Sequence, residues 1–121
     1  AGTHGSTYGG NPLACAVAEA ALDVMVDDKL IERSAELRAY MHERLLAIDS
    51  PKVKEIRCVG LWAGIELNED AGGARKFSEA LQERGLLCKE THVHTLRLAP
   101  PLVITREELD QALDTIADVL S

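Results

Sequence analysis

At 121 residues the chain is long enough for one domain with a single hydrophobic core, and its composition, 46% hydrophobic and 27% charged, is that of an ordinary globular protein. Thirteen basic and twenty acidic side chains give a net charge of −7 with no basic cluster, which argues against nucleic acid and anionic membranes as partners. No apolar run is long enough to cross a bilayer and no secretory leader is recognisable, so a cytoplasmic protein is expected.

The first helix is predicted to begin at Asn11 and Pro12, because asparagine caps helix N-termini and proline is favoured at the first helical position. An apolar stripe follows at helical spacing, with small residues at its start that allow another backbone to approach closely: Leu13, Ala16, Val17, Ala20, Ala21, Val24 and Met25. A second helix is predicted over residues 29–48, with one apolar face formed by Leu37, Met41, Leu45 and Ile48.

Strands are predicted next, because apolar and polar residues alternate from Val53 to Leu67, with Gly60 at a turn between two strands. A short helix follows, with Gly85 as its left-handed cap and an apolar face formed by Ala74, Phe77 and Leu81. Residues 86–90 are expected to form a brief strand, and residues 95–99 a further strand that two prolines terminate.

The last helix has the clearest start signal in the chain. Thr105 and Glu108 have the spacing of a capping box, and Ile104 with Leu109 can form the accompanying hydrophobic staple. The predicted order is helix, helix, strand, strand, helix, strand, helix. That order indicates an α+β fold in which helices cover one face of a small, mainly antiparallel sheet.

The three cysteines, Cys15, Cys58 and Cys88, are widely spaced and odd in number, and each lies in an apolar stretch. This pattern favours buried, reduced thiols over a disulfide framework.

The loop before the first helix is a candidate anion site. Ser6 and Thr7 offer hydroxyl groups, the neighbouring glycines allow a ligand to approach the backbone, and a helix N-terminus follows. Neither a P-loop nor the G-x-G-x-x-G pattern is present. The residues alone therefore leave two readings open, a phosphate site or a flexible loop capped by Asn11.

Arg97 is the second candidate, because it falls in a strand on the face opposite Leu96 and Leu98, where a guanidinium could bind a carboxylate bidentately. An exposed or salt-bridged strand arginine is the alternative. His92 and His94 have no third ligand at a telling spacing, so no metal site is expected. The lysines lie in polar contexts and no nucleophile and base can be paired, so no catalytic residue is assigned.

Two long segments, "HGSTYGGNPLACAVAEAAL" and "THVHTLRLAPPLVITREELD", resemble class III pyridoxal-phosphate aminotransferases, and the likeness runs nearly end to end through "GLWAGIEL" and "LQERGLLCK". Tyr8 and the "TH-x-HT" run resemble the ornithine-specific members. The "GLWAGIEL" segment is nearer the general pattern of the family, which leaves members acting on acetylornithine or 4-aminobutyrate as alternatives.

The resemblance implies that this chain is the C-terminal portion of a fold type I enzyme. Residues 1–12 would be the cofactor-phosphate loop from the end of the large domain, residues 13–28 the connecting helix, and residues 29–121 the small C-terminal α+β domain. The family's Schiff-base lysine belongs to the large domain and is not in this chain. No activity is therefore expected of the 121 residues alone.

The resemblance also implies roles for three residues. Ser6 and Thr7 would bind pyridoxal 5'-phosphate held by the neighbouring subunit of a homodimer or larger assembly, and Arg97 would bind the α-carboxylate of glutamate or 2-oxoglutarate. The implied reaction transfers the δ-amino group of ornithine to 2-oxoglutarate, giving glutamate semialdehyde and glutamate. Two other readings stay open, an independent module that binds a small carboxylate and a truncated product without activity.

Overall fold

The computed structural model describes residues 5–7 and 9–121. Residues 1–4 of the predicted cofactor-phosphate loop and Tyr8, which favoured the ornithine-specific members, lie outside the described residues. The described chain forms helices α1 (Pro12–Asp27), α2 (Leu30–Leu46), α3 (Arg75–Glu83) and α4 (Arg106–Leu120), a 3-10 turn (Glu69–Ala71), and strands β1 (Val53–Val59), β2 (Trp62–Leu67), β3 (Lys89–Thr91) and β4 (Thr95–Leu98).

Helix α1 begins as predicted, since Asn11 caps it by accepting the backbone N–H of Ala14 at 3.1 Å. The predicted apolar stripe is present, but none of the helix's residues is buried. Leu13 is 74% exposed and Val17 is 61% exposed, because among the described elements α1 contacts mainly α2. None of the described helices has both the length and the apolar character that crossing a bilayer requires.

The prediction of three buried thiols was wrong for Cys15, which is exposed on α1 because the described chain buries no residue of that helix. Cys58 and Cys88 are half-buried, and burial raises the pKa of both thiols. All three cysteines are unbonded.

The sheet is antiparallel throughout, in the order β1-β2-β4-β3. Gly60 forms the turn between β1 and β2 with φ of +56°, as its position between the strands predicted. A side chain at Gly60 would lie 2.7 Å from the hydroxyl of Ser34, which accepts the backbone N–H of Leu61 at 3.1 Å. Helix α2 thus holds the tip of this hairpin.

Strand β3 begins at Lys89, later than the expected strand over residues 86–90. Its extent is set by pairing with β4, in which Lys89 lies opposite Arg97 and Thr91 opposite Thr95. His92 begins the connecting turn with φ of +51°. The segment before Lys89 forms no ladder, so Leu86 and Cys88 pack on the core from a loop.

Helices α2, α3 and α4 cover one face of the sheet, which confirms the α+β fold. The capping box of α4 is present: the hydroxyl of Thr105 accepts the N–H of Glu108 at 3.2 Å, and the carboxylate of Glu108 accepts the N–H of Thr105 at 2.8 Å. The largest fully buried side chains of the core between helices and sheet are Met41, Leu45, Ile65, Leu67, Leu81, Leu96, Leu109 and Leu120. The opposite face of the sheet carries no helix of the described chain.

Candidate functional site

Arg97 lies on the face of the sheet that carries no helix of the described chain, the open face. Leu96 and Leu98 are buried against the helices, and Arg97 between them is exposed on the other side, as the alternation of β4 predicted. Two strands flank it, because β4 pairs with both β2 and β3. The guanidinium is therefore presented from the interior of the sheet, which fixes its backbone on both sides.

An open groove of about 380 Å³ lies beside Arg97. Gly64 of β2 is the direct cross-strand partner of Arg97, so the floor of the groove next to the arginine carries no side chain. Trp62, which is 59% exposed, lines the same groove two residues away along β2. The remaining lining residues are Arg57, Val59, Ala63, Thr91, His92 and Thr95.

Arg97 is the one arginine that forms no hydrogen bond or ion pair with any described residue. The other seven are each bound to a carbonyl, a hydroxyl or a carboxylate: Arg33, Arg38, Arg44, Arg57, Arg75, Arg84 and Arg106. An unpaired guanidinium in a groove keeps its five donors for a ligand, and their planar fork matches a carboxylate.

The carboxylate of Glu66, which lies on the open face, is already bound to two cations. The carboxylate of Glu66 lies 2.6 Å from Nζ of Lys54 and 2.7 Å from the guanidinium of Arg57. These two cations lower the pKa of Glu66 to about 2, so it stays ionised and paired. Glu66 is opposite Thr95 in the ladder, not opposite Arg97.

In the loop before α1, the described residues Ser6 and Thr7 are both exposed. The hydroxyl oxygen of Ser6 accepts the N–H of Gly9 at 2.8 Å, and a side chain at Gly9 would lie 2.9 Å from Ser6. Ser6 keeps its own proton to donate, and Thr7 forms no hydrogen bond with the described residues. Two hydroxyl donors just before a capped helix N-terminus fit a phosphate group. Neither residue lines the groove of Arg97.

The described lysines do not include one suited to covalent catalysis. Such a lysine needs a desolvated amine with a lowered pKa. Lys52 donates to the carbonyl of Leu120 at 3.1 Å, and the carboxylate of Glu66 raises the pKa of Lys54. Lys29, Lys76 and Lys89 are exposed.

The two histidines singled out by sequence lie in the turn between β3 and β4. His92 is exposed at the edge of the groove, and His94 is half-buried with its Nδ1 unpaired among the described residues. The described part of the chain has no group of three or more histidine, cysteine or acidic side chains that could hold a metal ion.

Three residues around Arg97 were missed by the sequence analysis: Gly64 and Trp62, which line the groove, and Lys89 on the other side of Arg97. Gly64 and Lys89 are the direct cross-strand partners of Arg97 on its two sides. The signal that could have found Lys89 is the hairpin register, since counting outward from the turn between β3 and β4 pairs it with Arg97. Gly64 meets Arg97 across β2 and β4, which α3 separates in sequence, so its pairing follows from the fold and not from a hairpin.

A sequence profile described as Aminotransferase class-III matches residues 1–120. The ornithine aminotransferase of Macrococcus caseolyticus is 58% identical over 121 residues, which are 100% of this chain and 30% of that protein. The ornithine aminotransferase of Staphylococcus carnosus is 59% identical over 120 residues, which are 99% of this chain and 30% of that protein.

Solved structures of aminotransferases are also similar to this chain. The ornithine delta-aminotransferase of Plasmodium falciparum matches with a TM-score of 0.89 and 40% identity, covering 98% of this chain and 32% of that one. The acetylornithine aminotransferase of Elizabethkingia anophelis matches with a TM-score of 0.87 and 42% identity, covering 99% of this chain and 32% of that one. The chain therefore spans about 30% of the length of the curated relatives it matches.

Proposed function

The chain belongs to the class-III aminotransferase family, and on that premise we propose that it is the C-terminal portion of an ornithine aminotransferase. The complete enzyme would transfer the δ-amino group of ornithine to 2-oxoglutarate, giving glutamate semialdehyde and glutamate. The name shared by relatives at 58% and 59% identity supports this substrate. A cytoplasmic location is part of the same proposal.

The observation that carries the proposal is the unpaired Arg97 at the groove over Gly64. Its guanidinium would bind the α-carboxylate of glutamate or 2-oxoglutarate through two parallel hydrogen bonds. Glu66 does not compete for it, because Lys54 and Arg57 hold that carboxylate. Binding the α-carboxylate here would position the adjacent α-carbon, which carries the exchanged oxo or amino group, at the reacting centre.

Pyridoxal 5'-phosphate, the cofactor of this family, supplies the electron sink for amino-group transfer when it is bound. The proposed role of Ser6 and Thr7 is to donate their hydroxyl protons to its phosphate. By the family resemblance the cofactor would be held mainly by the neighbouring subunit, so these donors would act across the interface of a homodimer or larger assembly.

The same proposal divides the chain into a phosphate loop over residues 1–12, a connecting helix over residues 13–28 and a small domain over residues 29–121. The absence of any buried residue in α1 within the described chain supports a connecting role, because a helix that only completed the small domain would bury an apolar face against it. Residues from α2 onward supply the core.

The test is to replace Arg97 in the complete enzyme and measure each half-reaction in single turnovers. Arg97→Ala should lower the specificity constant for 2-oxoglutarate by roughly 30-fold or more, because it removes one member of a desolvated charge pair. The half-reaction of ornithine should fall much less, since ornithine enters with its δ-amino group first. Arg97→Lys should recover only part of the loss, because an ammonium lacks the planar fork.

Equal losses in both half-reactions, or no loss in either, would contradict this role of Arg97. A second candidate substrate is acetylornithine, favoured by the match to the acetylornithine aminotransferase of Elizabethkingia anophelis at 42% identity. Direct comparison of ornithine and acetylornithine as amino donors to the same enzyme separates the two.

A further inference from the structure

Lys89 lies directly opposite Arg97 in the pairing of β3 with β4. Directly opposed residues of an antiparallel pair project to the same face of the sheet, so both cations belong to the open face. Together they border a second depression of about 280 Å³, with Leu87, Cys88 and Ala99. Arg97 therefore stands between two openings, one over Gly64 and one beside Lys89.

No described residue neutralises this pair of cations. Lys89, like Arg97, forms no hydrogen bond or ion pair with the described residues. Glu90, the acidic neighbour of Lys89 along β3, projects to the helical side, where it binds Arg75 at 3.3 Å and the hydroxyl of Ser78 at 3.2 Å. Like charges placed directly opposite each other in a sheet destabilise it, so an unneutralised pair has a cost in the absence of an anion.

We propose that Lys89 is a second substrate-binding cation, which together with Arg97 holds one carboxylate of the oxo-acid. This inference rests on the proposed function and adds to it a residue that sets affinity for the acid. Arg97 would take the carboxylate edge bidentately, and the ammonium of Lys89 would approach a remaining lone pair from the β3 side. The repulsion between the two cations would be relieved each time the anion binds.

A purely structural role of Lys89 must be distinguished from the proposed role in substrate binding. Lysines on edge strands protect sheets from pairing with other chains, and β3 is an edge strand. A lysine that only protected the edge would leave substrate constants unchanged. A lysine that binds the carboxylate would change them selectively, for the acid and not for ornithine.

The experiment uses the complete enzyme with Lys89→Met, Lys89→Arg and the control Lys76→Met, which removes an equal charge from an exposed position of α3. Two constants are measured, the specificity constant for 2-oxoglutarate and the inhibition constant of glutarate, an unreactive dicarboxylate. Lys89→Met should weaken both by roughly three- to tenfold, with the deficit shrinking as salt rises. Lys89→Arg should restore most of the loss, and the half-reaction of ornithine should be unchanged in all three variants.

The inference is overturned if Lys89→Met matches Lys76→Met in both constants while Arg97→Ala is impaired. The proposed function is what fails if Arg97→Ala itself leaves 2-oxoglutarate and glutarate unaffected. A deficit of Lys89→Met that is equal in both half-reactions would also overturn the inference, because it would mark a role in the sheet and not at the carboxylate.

Discussion

Gly64 of β2 and Arg97 of β4 are direct partners in the sheet, and the missing side chain of Gly64 leaves open space beside the guanidinium. A β-carbon at Gly64 would make an ordinary contact of 3.6 Å with Cγ2 of Thr95, so the backbone does not require glycine there. A larger side chain at position 64 would instead occupy the groove.

The first prediction therefore concerns Gly64. In the complete enzyme Gly64→Leu should keep its stability but lower the specificity constant for 2-oxoglutarate by about tenfold or more, because the side chain displaces the carboxylate from Arg97. Gly64→Ala should be close to the parent protein in both respects. Urea unfolding and steady-state kinetics on the same preparations measure the two effects, and a Gly64→Leu enzyme with normal kinetics would show that the groove is not the substrate site.

The second prediction concerns Thr7. Thr7→Ala in the complete enzyme should weaken retention of pyridoxal phosphate by roughly 10- to 150-fold, which corresponds to one hydrogen bond to a charged group. Thr7→Ser keeps the hydroxyl and should retain the cofactor. Because the contact is proposed to cross the dimer interface, dialysis of mixed dimers with one altered subunit should show loss from one site only. Unchanged retention in the fully altered dimer would make Thr7 an ordinary loop residue.

The third prediction concerns the 121 residues by themselves. They should show no transaminase activity and at best weak binding of pyridoxal phosphate, because the described lysines are exposed or already bound to other groups. Titration with the cofactor, followed by absorbance, tests this. A stoichiometric band of lysine-bound cofactor that a single Lys→Ala change removes would refute it.

The fourth prediction concerns pH and Glu66. Its pKa is about 2 in the folded chain against 4.5 for an unperturbed glutamate, because Lys54 and Arg57 bind the ionised form. A lowered pKa contributes stability above pH 4.5, and that contribution disappears as the pH falls from 4.5 toward 2.

Glu66→Gln should accordingly lower the midpoint of urea unfolding at pH 7, and the gap to the parent protein should close on acidification through that range. Glu19→Gln, at an exposed position of α1 without an ion pair among the described residues, is the matched control. A gap for Glu66→Gln that stays constant with pH would mean that the carboxylate's charge is not what stabilises the sheet.

The fifth prediction concerns the start of α4. Thr105→Ala should lower the free energy of unfolding by about 1 kcal/mol, because the N–H of Glu108 loses its hydroxyl acceptor. Thr105→Ser should keep most of that stability. If Thr105→Ala unfolds at the same urea concentration as Thr105→Ser, the hydroxyl has no net effect on the helix.

Local signals explain what the sequence alone could predict. The start of α4 depends on Thr105 and Glu108, three residues apart, and the turn at Gly60 depends on one residue's freedom to adopt positive φ. The position of Arg97 on the exposed face of the sheet likewise follows from alternation within β4. Each of these needs no knowledge of the rest of the fold.

What escaped prediction depends on how separate strands and helices are placed against one another. Alternation places Arg97 on a face, but only the register shows that Gly64 and Lys89 flank it and that Glu66 is bound elsewhere. Periodicity shows that α1 has an apolar stripe, but it does not show whether another element packs on that stripe. The expectation of a buried Cys15 was wrong for this reason.

The exposure of α1 predicts that this helix is less stable than the rest of the described chain. Most of the stability of a helix in a protein comes from packing of its apolar face, and none of the residues of α1 is buried within the described chain. Its amides should exchange with deuterated solvent well before those of α2 and the central strands, which are anchored in the core. Whatever surface comes to cover Leu13 and Val17 would then do two things at once, joining this chain to its neighbour and completing the folding of its first sixteen helical residues.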